Sequence, residues 1–63
     1  MLRSDLDTAI EAAQILREYC RRKTIPMIQV DRISLRTKDI VDFYNPDSLV
    51  GMVNVGTKDV RVL

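Results

Sequence analysis

The sequence predicts an α+β domain: one long N-terminal helix plus a short second helix, packed on one face of a small, mainly antiparallel sheet of about three strands. Three observations carry this. Apolar residues recur at helical spacing through the first third of the chain. Beyond Pro26 the pattern changes to short runs rich in Val, Ile and Leu, separated by polar breaks. Asn45-Pro46-Asp47-Ser48 then has the composition of a helix start. Placing helices on one face of an antiparallel sheet buries the apolar side of both layers. At 63 residues the chain is one small α+β domain, 1–63.

The first helix is read from Asp5 to about Lys23. Ser4 followed by Asp7 is a capping-box-like pair, in which the serine hydroxyl accepts from a first-turn amide. Asp5 and Asp7 sit at the positive end of the helix dipole, and Arg21, Arg22 and Lys23 at the negative end. Neither Gly nor Pro interrupts the segment. At about 100° per residue, Leu6, Ala9, Ile10, Ala13, Leu16 and Cys20 form one apolar stripe. Asp7, Glu11, Gln14, Glu18 and Arg21 lie opposite. The stripe is expected to face the sheet, and Ile10→Asp is therefore expected to unfold the domain. Ala12, Ile15 and Tyr19 widen the apolar arc on one flank. That flank either touches a loop or forms a second contact surface, as in a homodimer.

Thr24-Ile25-Pro26 ends the helix, because the proline disfavours helical geometry at Ile25. Met27 to Val30 reads as a strand. Ile28 and Val30 share one face while Ile33 and Leu35 fall on the other. Either a bulge near Asp31-Arg32 re-phases one strand, or a turn there separates two. Arg36-Thr37-Lys38 is a polar break without Gly or Asn, so a loose loop is expected. Asp39 to Tyr44 is the next strand, with Val41 and Phe43 on one face and Ile40, Asp42 and Tyr44 on the other.

Residues 45–55 carry two local readings. Asn45 can cap, Pro46 is pre-shaped for a first helical position, and Asp47 complements the dipole. The valines and Gly51 within residues 49–55 argue instead for a strand turning at Gly56-Thr57-Lys58. Gly56 serves as a helix-terminating residue in the first reading and as a turn residue in the second. Asp59 to Leu63 is a final strand, with Val60 and Val62 alternating against Asp59, Arg61 and Leu63.

Composition narrows the function. Apolar residues make up 46% and charged residues 30% of the chain, a globular balance. The net charge of +1 gives no global field directed at nucleic acid or membrane. The single cysteine forms no internal disulfide, which suits a reducing compartment. No apolar run has the length of a membrane span, nor does the N-terminus carry a signal-peptide core. The expected location is therefore cytoplasmic. The absence of histidine excludes histidine acid–base catalysis and histidine metal ligation. One Cys builds no cysteine-rich zinc site, and two glycines after residue 50 form no phosphate loop. Asp39, Asp42, Asp47 and Asp59 are dispersed without calcium-loop spacing. Cys20, on the apolar stripe, reads as a small buried hydrophobe. No cofactor, metal or catalytic residue is expected, and the chain reads as a non-enzyme.

The string DSLVGMVNVG at residues 47–56, together with the order of elements, resembles the HPr-like phosphocarrier family. Ser48 aligns with that family's serine, Leu49 and Val50 with the apolar pair after it, Gly51 with its glycine, and Met52 with the residue after that. The resemblance implies that residues 46–54 are helical. It further implies that Ser48 is a regulatory serine near a helix start, beside an apolar docking surface of Leu49, Val50 and Met52. The family's phosphorylated histidine has no counterpart here, so the resemblance implies a reduced relative without phosphotransfer.

These readings converge on a small non-catalytic regulatory or adaptor protein that acts through protein–protein binding and can form a homodimer. The alternative is a nucleic-acid-binding regulator using Arg17, Arg21, Arg22 and Arg36. That reading requires the arginines to share a face and binding to weaken steeply with salt.

Overall fold

A computed structural model describes residues 4–26 and 29–63. Helix α1 (Asp5–Arg22) is followed by four strands, β1 (Arg32–Leu35), β2 (Ile40–Tyr44), β3 (Leu49–Asn54) and β4 (Asp59–Val62). The strands pair antiparallel in sequence order, so β1 and β4 are the sheet edges. The fold is α+β as expected. Two finer expectations are corrected: the sheet has four strands rather than about three, and no second helix forms among the described residues.

Helix α1 begins as its sequence dictates. Ser4 is extended (φ −79°, ψ 161°), and its Oγ accepts from the Asp7 amide at 3.1 Å. The end is less ordinary. The Ile25 amide donates to the Cys20 carbonyl and the Thr24 amide to Arg21, the paired bonds of a Schellman turn. The left-handed position falls on Thr24 (φ 54°), a β-branched residue where glycine is usual.

The expected first strand is shorter than its sequence. Met27 and Ile28 lie outside the described residues, and Gln29 to Asp31 are not strand. The ladder begins at Arg32, immediately after Asp31 has donated its amide to the Tyr44 carbonyl at 2.8 Å. The loop between β1 and β2 is organised by Thr37, whose Oγ1 accepts from the amides of Asp39 and Ile40.

Residues 49–54 are strand β3, not helix. Asn45-Pro46-Asp47-Ser48 is the turn that joins it to β2, closed by the Asn45 amide donating to the Ser48 carbonyl at 2.9 Å. The same four residue types suit a helix start and a turn. The residues after the turn decide between them: Val50 and Val53 favour the pleated conformation, and Gly51 weakens a helix. The register shifts between Phe43, opposite Gly51, and Tyr44, opposite Leu49, leaving Val50 as the extra residue of a bulge. In the last turn, Asn54 Oδ1 accepts from the amides of Gly56 and Thr57, and Lys58 takes the positive φ (68°).

The core lies between α1 and one sheet face. Ala12, Leu16 and Cys20 from the helix meet Val41, Phe43, Val53 and Val55, all essentially inaccessible to water. Thr8 is buried on the same side, its Oγ1 donating to the Ser4 carbonyl. The expected stripe is thus rotated. Leu6 and Ile10, read as core, are 69% and 48% exposed, whereas Ala12 is fully buried. At about 100° per residue, the true centre lies roughly 75° from the expected one. The flank with Ala12 and Ile15 faces the sheet, and the side with Leu6 and Ile10 is turned out.

Candidate interaction surfaces

The rotation of α1 leaves an apolar flank. On one side of the helix, Glu11 meets Lys58 of the β3–β4 turn (2.8 Å), and Ile15, Glu18 and Arg22 overlook β4 with Lys58 and Val60. Helical geometry turns Ala13, Leu6, Arg17 and, further outward, Ile10 toward the opposite side. There Ile33 lies opposite buried Phe43 in the sheet register, on the helix face, yet remains 39% exposed. Leu6 and Ile10 on the helix and Ile33 on β1 are thus exposed apolar residues on this side of the domain, with exposed Arg17 on the same helix azimuth as the first two.

The β4 side is charged instead. Glu18 accepts from Arg21 at 2.6 Å and lies 3.4 Å from Arg22. The Arg21 hydrogen bond, opposed by some desolvation and aided by both arginine charges, holds the Glu18 carboxyl below its ordinary range. Lys23 rests 5.9 Å from the Tyr19 ring centroid.

No helix among the described residues covers the second sheet face. Ser34, Asp42, Met52 and Arg61 form one row across all four strands, and Arg32, Tyr44 and Leu49 another. Asp42 is buried although its face is open. Arg36 lies against it, with Nε and Nη2 each donating to one carboxylate oxygen at 3.1 Å, while its own side chain stays half exposed. The Arg32 guanidinium stacks on Tyr44, 4.6 Å from the ring centroid. Arg36, Ile40, Met52, Asn54, Asp59 and Arg61 surround a shallow depression.

The residues singled out from sequence distribute over several surfaces. Ser48 is exposed in the β2–β3 turn, where no helix start is present to meet a phosphate. Leu49 and Met52 are half-buried on the open sheet face, whereas Val50, at the bulge, packs against the core. The four do not share one surface. Arg17, Arg21 and Arg22 are exposed on the helix layer, and Arg36 lies on the other face of the sheet, so these arginines are also divided. Cys20 is buried. No group of three or more His, Cys, Asp or Glu that could hold a metal occurs among the described residues. No helix among them is long and apolar enough to cross a membrane.

Sequence reasoning offered Arg32 only as an extension of the basic face if the sheet brought it alongside, and did not single out Ile33 or Arg61 as surface residues. Alternation alone put Ile33 on one face of β1 and Arg32 on the other; the missing information was how far the helix reaches across the sheet. Comparison with family models, curated proteins and solved structures returns no match, so geometry alone carries the functional reading.

Proposed function

We propose that this chain is a small non-catalytic regulatory or adaptor protein that works by binding another protein through the flank formed by Leu6, Ile10 and Ile33. The observation that carries this reading is the exposure of Leu6, Ile10 and Ile33, three of the large apolar side chains of a small domain. Covering a Leu or Ile side chain contributes on the order of 1.5–3 kcal/mol. The flank therefore gains more from a protein surface than the charged β4 side does. A photo-reactive side chain placed at Ile10 tests the reading in cells that express the protein. A discrete protein adduct is expected at position 10, none at Asp47 in the distant turn, and loss of the adduct when Leu6→Glu is added. A folded protein that yields no adduct at position 10 removes this reading.

The open sheet face favours a second reading, nucleic-acid binding. Arg32, Arg36 and Arg61 lie there with Tyr44, which supplies an aromatic plane beside cationic groups. Binding of single-stranded RNA and duplex DNA at two salt concentrations discriminates the readings. Affinity that falls steeply with salt and is lost in Arg61→Ala supports it; no binding at low salt dismisses it.

A further inference from the structure

The groove between α1 and β4 joins three features that suit one kind of occupant. Ile15, Tyr19 and Val60 give it an apolar lining, and Arg22, Lys23 and Lys58 set three cations beside the one carboxylate of Glu18. Glu18 is already held by Arg21 and Arg22, and Lys58 meets Glu11 at 2.8 Å. Lys23 makes no ion pair among the described residues; its ammonium lies 5.9 Å from the Tyr19 ring centroid. The groove thus keeps an excess of positive charge over an apolar lining. Beside it runs a free edge of the sheet. The Leu63 amide donates to the Val50 carbonyl at 3.1 Å, and Arg61 and Asp59 lie opposite Met52 and Asn54 in the same register. The odd-numbered residues of β4 therefore exchange their bonds with β3, and the amides and carbonyls of Val60 and Val62 point away from the sheet.

We propose that β4 takes up an extended segment of a partner protein as an added strand, with one apolar side chain in the groove and acidic side chains of the same face against Arg22, Lys23 and Lys58. A free edge alone selects nothing, since β1 has one too. At β4 the edge and the groove meet in Val60, whose side chain lines the groove and whose backbone bonds are open. A row of unpaired amides and carbonyls is matched by a polypeptide strand, which makes the occupant a peptide rather than a nucleic acid or a lipid. Backbone bonds then supply affinity, and every second side chain supplies selection. A basic segment would bring like charge to Lys23, and a purely apolar one would leave that charge unanswered. The groove lies on the other side of α1 from Leu6 and Ile10, so this site goes beyond the flank reading and does not depend on it.

The synthetic peptide acetyl-Thr-Glu-Thr-Ile-Thr-Glu-Thr-amide tests it, because as a strand it puts Ile and both Glu on one face. Titrated into the wild-type chain at low salt, it should slow amide exchange of Val60 and Val62 at least fivefold at saturation and leave Ile33 and Leu35 unchanged. Its affinity should fall as salt rises. Lys23→Glu, a change at an exposed residue, should weaken binding about fivefold while circular dichroism shows the variant folded. A control peptide with Ile moved by one place, which puts it on the face opposite both Glu, should bind at least fivefold more weakly than the first. No binding at millimolar peptide, equal binding of the control, undiminished binding to folded Lys23→Glu, or protection at Ile33 and Leu35 in place of Val60 and Val62 overturns the proposal. A position-10 adduct is independent of all these results, so failure here leaves the flank reading standing.

Discussion

Thr24 is the clearest local conflict in the chain. It occupies the left-handed position after α1 (φ 54°), and its β-branch makes that conformation costly. The surrounding bonds hold it there: Ile25 reaches back to Cys20 and packs against the core, which leaves the turn no alternative. Thr24→Gly should therefore raise stability by about 0.5–1 kcal/mol, the relief of strain less the added freedom of glycine in the unfolded chain. Urea titration would show a higher midpoint at unchanged slope. At the other polar site, the pair Arg36–Asp42 is asymmetric, with a buried carboxylate and a half-exposed guanidinium. Removing the arginine strands the buried charge, while removing the aspartate leaves a cation that water can reach. Arg36→Ala should cost about 2–4 kcal/mol and Asp42→Ala only about 1–2 kcal/mol. Equal losses in the two variants would show that the carboxylate is solvated without its partner.

Among the elements, α1 gives the sharpest contrast between pattern and packing. Its span, cap and charge ends were legible because Ser4, Asp5, Asp7, Arg21 and Arg22 are local signals. Its rotation was not. Apolar residues cover so much of the circumference, from Ile10 through Leu6, Ala13 and Leu16 to Ala12 and Ile15, that period alone accepts either half as the core. Thr8 misled further, since a buried threonine looks polar until its hydroxyl is seen bonded to Ser4. The structure reverses the expected mutational ranking. Ile10→Asp should cost less than about 1 kcal/mol, as surface changes do, while Leu16→Ala should cost about 2–5 kcal/mol. Thermal melts of the two variants check this directly; an unfolded Ile10→Asp chain would return Ile10 to the core. Strand phases were easier to read. Val41 and Phe43 face the helix and Asp42 and Tyr44 face away, as alternation required. Strand β3 was ambiguous because residues 45–48 suit either a helix start or a turn, and only pairing with β2 on one side and β4 on the other resolves it. The open-face cluster was illegible for the same reason: Arg32, Asp42, Met52 and Arg61 become neighbours only once the register is known.

At the scale of the whole molecule, one helix on one sheet makes a two-layer body whose shortest extent is 14 Å. Isolated domains of this size bury a limited share of their surface and are only marginally stable. The exposed Leu6, Ile10 and Ile33 and the β1 edge are among the places where this chain has unused contacts. If a second copy occupies them, folding and association share one equilibrium, and the dimer unfolds to two chains. Mass action then favours the folded form by about 1.4 kcal/mol per dimer for each tenfold rise in concentration above the dimer Kd. With the usual unfolding entropy of about 2.1 cal/mol/K per residue, that amounts to a rise in Tm of about 5 °C per tenfold. The same scan on Ile33→Lys isolates the edge. A lysine there leaves the core residues Ala12, Leu16 and Phe43 untouched but would set two like charges side by side if the β1 edges of two copies paired there. Its Tm should be independent of concentration and should equal the low-concentration limit of the wild type. A wild-type Tm that stays constant across a hundredfold range would mean that the domain is stable as a single chain, and that the exposed Leu6, Ile10 and Ile33 await a different protein.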